Sequence, residues 1–210
     1  MKWLSYSAPA KNTSQDLQPR IDVNRTRTNF MSEDSKLSEQ LIYQGRVIRV
    51  NLERVRLPNN HVADLEIIHH PGGAAIVALD EQQRVCMLKQ YRHAAGGYIW
   101  ELPAGKIDNR EPPLQTAHRE LREEAGCTAQ HWHYLGHYLS SPGVFTEVVH
   151  LYLATGLTLV GNQPEDHEVF HVEWLPFNEI LAMAYRGELN DGKSLVGLFL
   201  SQHHLQTERV

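Results

Sequence analysis

The amino-acid sequence predicts an α/β fold in which helices cover a mixed β-sheet. Three observations predict this class: strand-like stretches come first, an amphipathic helical stretch follows at residues 113–125, and further strand-like stretches precede two helical stretches that end the chain. This order of strands, helix, strands and helices is typical of a sheet covered by helices.

Composition limits the kind of protein that this chain can be. Its 210 residues suit one domain with appendages, or two small domains at most. With 20 Lys+Arg and 25 Asp+Glu, the formal net charge of −5 argues against a nucleic-acid binder, which should carry a basic stripe. Cys86 and Cys127 are too few for a disulfide scaffold and fit a reducing compartment. No apolar run approaches the ~18 residues of a membrane span. We therefore expect a cytoplasmic protein without a membrane partner.

The first 70 residues divide into two parts. Residues 1–35 lack hydrophobic periodicity and are rich in polar residues, which predicts a disordered N-terminal tail. Residues 36–70 are predicted to form an N-terminal β-hairpin region. Apolar and polar residues alternate at 48–53, a turn follows at 58–61, and a return strand covers 62–68.

Residues 71–210 are predicted to form the core. Apolar runs and alternating stretches predict strands at 74–79, 85–91, 133–139, 147–154 and 169–174. Helices are predicted at 113–125, 177–185 and 192–205. The paired prolines Pro112-Pro113 open the first of them, and Gly126 follows its end, both of which are typical helix boundaries.

The helix at 113–125 has one face that should meet the core. Leu114, Ala117, Leu121 and Ala125 recur at spacings of three and four residues, so they fall on one stripe of the helix. We expect all four side chains to be buried against the sheet.

Three carboxylates lie beside that stripe. Glu120, Glu123 and Glu124 fall within an arc of about 100° and repel one another. A hard divalent cation would remove this penalty, and oxygen-only ligands suit Mg²⁺ or Mn²⁺. A solvated acidic face paired with Arg119 and Arg122 is the alternative, and the helix alone does not separate the two.

The residues around the helix favour the metal site over the solvated acidic face. The segment reads Gly105-x5-Glu111-x7-Arg119-Glu120-Leu121-x-Glu123-Glu124-x-Gly126-Cys127. It resembles the Nudix box, G-x5-E-x7-R-E-U-x-E-E-x-G-U with U aliphatic, and departs from it only at Cys127. The resemblance implies a Nudix fold, an α/β/α sandwich with a mixed sheet and a catalytic loop–helix–loop, in residues 71–210. It also implies a metal-dependent hydrolase that splits a nucleoside diphosphate linked to another group.

Four further segments resemble the ADP-ribose pyrophosphatases of that family. They are Gln90-Tyr91-Arg92, Trp100-Glu101-Leu102-Pro103-Ala104-Gly105, the S-P-G-x-x-x-E pattern at 141–147, and the acidic stretch 165–169. The similarity covers roughly residues 40–205. It implies hydrolysis of ADP-ribose to AMP and ribose 5-phosphate. Two alternatives stay open: a broader nucleoside-diphosphate-sugar pyrophosphatase that acts on ADP-glucose or GDP-mannose, and a catalytically silent ADP-ribose sensor.

The resemblance also assigns roles around the metal. Glu120 and Glu124 would ligate Mg²⁺, with Mn²⁺ as a possible substitute. Glu123 would serve a second metal or its water shell, which makes it a catalytic candidate too. The backbone carbonyl of Ala104 would complete one coordination sphere. Arg119 would orient the carboxylates by ion pairing.

The resemblance also implies a structural role for the remaining box positions, namely Gly105, Glu111 and Gly126. It implies that Arg92, Glu101 and Glu147 bind the substrate. A guanidinium such as that of Arg92 suits phosphate oxygens, and Glu147 could also reach the metals.

The resemblance places the catalytic base on the late acidic loop, where Glu165 is the first candidate and Glu168 the second. A homodimer is implied as well, in which N-terminal strands at about 41–68 contribute to the partner's site, so residues 36–70 are the expected dimerisation element. Adenine stacking is left open among aromatic residues such as Trp3, Tyr43 and Trp132.

Overall fold

The structure is a computed structural model, and it describes residues 35–161 and 169–208. Apart from Ser35, the predicted tail at 1–35 lies outside these residues. The strands are β1 (Lys36–Gln44), β2 (Arg49–Arg56), β3 (Val62–His69), β4 (Gly73–Ala78), β5 (Arg84–Arg92), β6 (Gly97–Glu101), β7 (Ala104–Lys106), β8 (Cys127–Leu139), β9 (Val148–Leu159) and β10 (Phe170–Pro176). The helices are α1 (Pro113–Glu123), α2 (Phe177–Tyr185) and α3 (Gly192–Thr207).

The strands form three sheets in the described part of the chain. An N-terminal antiparallel sheet has the order β1-β2-β3, and a second antiparallel sheet has the order β10-β5-β6. The third has the order β7-β4-β9-β8, and β4 pairs with β9 in parallel while its other pairs are antiparallel. The predicted mixed sheet covered by helices is therefore confirmed.

Strand β4 lies at the centre of the core, and all its residues are buried. Successive side chains of a strand point to opposite faces, so β4 contributes to two hydrophobic clusters. Ile76 packs with Ala117 and Leu121 of α1 on one face. On the other face, Val77 belongs to the cluster of α2 and α3, which includes Leu198. Burial on both faces explains why β4 reads as a continuous apolar run.

Helix α1 is rotated from the orientation that its apolar stripe predicts. Ala117, Leu121 and Ala125 are buried as expected, but Leu114 is 37% exposed, so that prediction is wrong. At about 100° per residue, the buried face includes Thr116 and Glu120 and leaves Leu114 at its edge. Two carboxylates of the box, Glu120 and Glu124, are therefore buried.

Two strands were not expected, β6 and β7. Strand β7 has three residues, and it forms because it pairs with β4 at Gly73↔Lys106. No periodicity is visible over so short a stretch. Strands β8 and β9 also extend further than predicted, because they form one long antiparallel pair from Cys127↔Leu159 to Leu139↔Val148. Across residues 35–161 and 169–208, no helix has both the length and the apolar character to cross a bilayer.

Candidate active site

A cleft of about 490 Å³ opens beside the N-terminal end of β4. Side chains from α1 form one wall, where Arg119, Glu120 and Glu123 face the opening. Arg92 at the end of β5 and Lys193 at the start of α3 form another wall. The cleft thus brings together residues that are separated by about half the chain.

The loop around β7 approaches α1 very closely at Gly105. A Cβ atom built on Gly105 would overlap with the carboxylate of Glu120, so only glycine fits here without movement. Glu120 is itself 6% exposed. The first glycine of the predicted box therefore lets the backbone lie against a carboxylate of the box.

Glu124 ties the end of α1 to the same loop. Its side chain is buried, and its Oε2 accepts a hydrogen bond of 2.7 Å from the backbone N–H of Ala104. This bond fixes the Pro103–Ala104 peptide, which lies next to the Ala104 carbonyl that the family resemblance implies as a metal ligand. Gly126 follows with a positive φ of 63°, and its carbonyl accepts hydrogen bonds from Val160 and Gly161.

Arg119 joins the carboxylates of the box to one another. Its Nη1 donates to Glu120 Oε1 at 2.5 Å and to Glu123 Oε2 at 3.1 Å. Its Nη2 donates to Glu111 Oε1 and to the carbonyl of Lys106, both at 3.1 Å. Burial by itself would lower the pKa of Arg119, but the surrounding carboxylates have the larger effect and raise it.

Glu111 supports this arrangement from the start of the helix. Its Oε1 also accepts a hydrogen bond of 2.8 Å from Thr116, which is fully buried. Burial by itself would raise the pKa of Glu111, but the hydrogen bonds from Thr116 and Arg119 hold it below its ordinary value. Glu111 therefore stays ionised and connects the segment before α1 to Arg119 within the helix.

The donor chemistry of this wall fits a hard divalent cation. Arg119 contacts three carboxylates of the box, Glu111, Glu120 and Glu123, so a single guanidinium faces more than one negative charge beside the cleft. Among the residues that the structure describes, no three His, Cys, Asp or Glu side chains already converge on one point as metal ligands. In this arrangement Glu120 and Glu123 accept hydrogen bonds from Arg119, and Glu124 accepts one from the Ala104 N–H.

Arg92 and Glu101 form a two-point ion pair. Arg92 Nε donates to Glu101 Oε1 at 2.9 Å, and Arg92 Nη2 donates to Glu101 Oε2 at 2.7 Å. Burial alone would raise the pKa of Glu101, but the hydrogen bonds from Arg92 and the charge of Lys193 lower it. Glu101 is thus a buried anion that holds Arg92 at the cleft.

Glu147 also lines the cleft, on the segment before β9. Its Oε1 lies 3.4 Å from His70 Nδ1, and that nitrogen accepts a hydrogen bond from the Gly72 N–H. Burial lowers the pKa of His70, which favours its neutral form. The Glu147 carboxylate consequently faces the cleft without a strong cationic partner in the described residues.

Sequence reasoning missed several residues of the cleft, above all Lys193 and Asp191. The motif Asp191-Gly192-Lys193-Ser194 signals a helix N-terminus, and Asp191 does cap α3 by accepting from the Ser194 N–H at 3.1 Å. That signal predicts a helix boundary but no contact with residues of β5 and β6. His70 and Tyr138 of the cleft were missed as well.

The remaining candidates either fall outside the described residues or lie away from the cleft. Glu165 and Glu168 lie outside the described residues, as does Trp3. Tyr43 is 57% exposed on β1, and Trp132 packs between His118 and Tyr152. Neither Tyr43 nor Trp132 lines the cleft.

Comparisons with known proteins agree with this geometry. The NUDIX domain profile matches residues 69–195. An ADP-ribose pyrophosphatase of Mycobacterium tuberculosis is 37% identical over 174 residues, which is 81% of this chain and 84% of that protein. An ADP-ribose pyrophosphatase of Bacillus subtilis is 34% identical over 77% of this chain and 89% of its own length.

The fold has a solved counterpart. A crystal structure of an ADP compounds hydrolase superposes with a TM-score of 0.72 over 84% of this chain and 96% of its own, at 19% identity. At that identity the likeness concerns the fold alone. Together with the profile match and the two relatives, the cleft built from the loop–helix–loop of Gly105 to Gly126 shows that this chain belongs to the NUDIX family of hydrolases.

Proposed function

We propose that this protein hydrolyses the diphosphate of ADP-ribose to AMP and ribose 5-phosphate, with Mg²⁺ as the metal and Mn²⁺ as a possible substitute. The observation that carries the proposal is the cleft itself. Carboxylates from α1 face it from one side, and Arg92, held by Glu101, faces it from another. The similarity to two ADP-ribose pyrophosphatases supports this choice of substrate.

In this proposal the residues of one wall bind the metal and those of the other wall bind the substrate. Glu120, Glu124, Glu123 and the carbonyl of Ala104 would hold the metal. When bound, the metal polarises phosphoryl oxygens and lowers the pKa of a coordinated water. Arg119 keeps the two carboxylates oriented, because it donates to Glu120 and Glu123 together.

Arg92 and Glu147 act on the substrate side. Two N–H groups of Arg92 are bound by Glu101, so the orientation of the guanidinium is fixed before a ligand arrives. A fixed guanidinium suits a phosphate oxygen or the hydroxyls of the terminal ribose. Glu147 lines the same cleft and is placed to contact the substrate or its metal.

A substrate panel tests the proposal. We expect ADP-ribose to have a kcat/KM at least about tenfold above those of ADP-glucose and GDP-mannose, a difference of ~1.4 kcal/mol. Products are separated by chromatography, and AMP must appear in equal amount to ribose 5-phosphate. Chelation with EDTA should abolish turnover, and Mg²⁺ or Mn²⁺ should restore it.

Each alternative has its own result in that panel. Faster turnover of ADP-glucose or GDP-mannose would make the protein a broader nucleotide-sugar pyrophosphatase. Binding of ADP-ribose without turnover of any substrate, with metal present, would make it a sensor.

We also propose that the catalytic base lies on the late acidic loop, with Glu165 first and Glu168 second. Its support is the resemblance of 165–169 to the corresponding loop of ADP-ribose pyrophosphatases. We expect Glu165→Gln to lower kcat while the affinity for Mn²⁺ changes little, because a base acts on water and does not hold the metal. A much larger loss in Glu168→Gln than in Glu165→Gln would assign the base to Glu168.

Finally, we propose a cytoplasmic homodimer that forms through the N-terminal sheet. Strand β1 is exposed along its whole length, and Leu37, Leu41, Ile42 and Tyr43 are each between 46% and 58% exposed. An exposed apolar edge strand is a liability unless another chain covers it. Sedimentation of the wild type and of Leu41→Ser checks this, and a monomeric wild type would refute it.

The two buried free thiols support the cytoplasmic location.

A further inference from the structure

Lys193 stands beside Arg92 in the cleft but belongs to a different part of the chain. It is the second residue of α3, and its side chain is 15% exposed. Its Nζ lies 2.9 Å from Glu101 Oε2 and donates to Asp191 Oδ1 at 3.0 Å. Two carboxylates therefore fix the position of this ammonium group at the surface of the cleft.

Glu101 is shared between two cations. Arg92 approaches both of its oxygens, and Lys193 approaches Oε2. The Glu101 side chain is 3% exposed, so it has almost no contact with solvent. Glu101 alone therefore cannot balance both cations, and Asp191 is a second acidic neighbour of Lys193.

The other acidic neighbour of Lys193 is already engaged. Asp191 Oδ2 accepts from both the N–H and the Oγ–H of Ser194, at 3.1 and 2.6 Å. Asp191 thus caps α3, where the positive end of the helix dipole offsets its charge. The contact between Asp191 and Lys193 therefore mainly orients the ammonium group and neutralises little of its charge.

The same contacts join Lys193 to the loop of the box. Ser194 Oγ accepts a hydrogen bond of 2.8 Å from the backbone N–H of Leu102, two residues before Ala104. Ser194 is fully buried, so this bond is shielded from water. Lys193 consequently has a fixed position relative to the loop that carries Ala104 and Gly105.

We propose that Lys193 is a substrate-binding residue, whose ammonium group binds a non-bridging oxygen of the substrate diphosphate on the side away from the box carboxylates. An ammonium has three donors, and two are directed to Glu101 and Asp191, so one is left for a ligand in the cleft. A point charge of this kind suits phosphate oxygens, which attract it from many directions. The proposal depends on the substrate being a diphosphate but not on its being ADP-ribose.

The test compares Lys193→Met with wild type, because Met keeps the length of the side chain and removes its charge. We expect KM to rise about tenfold with kcat changed little, which matches the loss of one charge-assisted hydrogen bond. The rise should be similar for ADP-ribose, ADP-glucose and GDP-mannose, since they share the diphosphate. Affinity for inorganic diphosphate, measured by calorimetry, should fall by a similar factor.

Two further variants make the outcome decisive. Lys89→Met removes a lysine on the outer side of β5, where its Nζ lies over the Trp100 ring, and should leave KM unchanged. Asp191→Asn in the Lys193→Met background keeps a good helix cap and restores the charge balance without restoring the ammonium group. Recovery of wild-type KM in that double variant would overturn the proposal, because Lys193 would then act only through the charge of the wall. An effect confined to one sugar would overturn it too. Unchanged diphosphate affinity would refute it even if ADP-ribose proved to be the wrong substrate.

Discussion

Replacing Glu124 by Gln is expected to lower kcat by about 100-fold or more, a loss of ~2.7 kcal/mol in transition-state stabilisation. The proposed role of Glu124 is to hold the metal with its negative charge, and glutamine lacks that charge. The fold should survive, because the amide oxygen of Gln can still accept the hydrogen bond that Glu124 Oε2 receives from the Ala104 N–H at 2.7 Å.

Three measurements separate a metal effect from a structural one. Mn²⁺ affinity should fall in Glu124→Gln, while the thermal unfolding midpoint without metal should stay close to that of wild type. Glu179→Gln, an acid-to-amide change in the first turn of α2 and outside the cleft, should leave both kcat and metal affinity unchanged. Activity of Glu124→Gln within about tenfold of wild type, ~1.4 kcal/mol, would contradict the assignment of this residue to the metal.

Replacing Gly105 by Ala is expected to have an effect of similar size for a steric reason. The new methyl group would overlap with the Glu120 carboxylate, so either the side chain or the loop must move. Both parts carry proposed metal ligands, and a displacement of about 1 Å in a catalytic group can cost about 100-fold in rate. We therefore expect a kcat loss of that order with the affinity for Mn²⁺ reduced.

Gly97→Ala is the matched control for this change. Gly97 lies at the start of β6, and a Cβ atom there would meet no atom within 4 Å. It should retain the wild-type kcat. If Gly105→Ala kept kcat within about threefold of wild type, a difference below ~1 kcal/mol, the close approach of loop and helix would not be needed for catalysis.

Helix α1 shows which features of the site can be predicted from local sequence and which cannot. The spacing of the box places Glu120, Glu123 and Glu124 on one side of α1, because residues three and four apart are neighbours on a helix. The same periodicity gave the wrong burial for Leu114. Periodicity shows which residues share a face, but the direction of that face depends on what the helix packs against, and here Thr116 and Glu120 take the buried places.

The N-terminal β-region and the short strand β7 show a similar limit. Alternation of polar and apolar residues predicts that β2 and β3 are strands, and the structure has both. Strand β7 has too few residues to show any hydrophobic period. It is a strand only because it pairs with β4.

The α/β class, the family resemblance and the box residues at one helix and its loop were predictable from the sequence, because they depend on neighbours within a few turns of the chain. The sequence also named Arg92 and Glu101, but the tertiary structure was needed to show that Lys193 joins them in the opposite wall of the cleft. Arg92, Glu101 and Lys193 lie on β5, β6 and α3, and the Leu102–Ser194 hydrogen bond that joins these parts spans 92 residues. Contacts at that separation result from the packing of whole elements around β4, and no local pattern of residues encodes them.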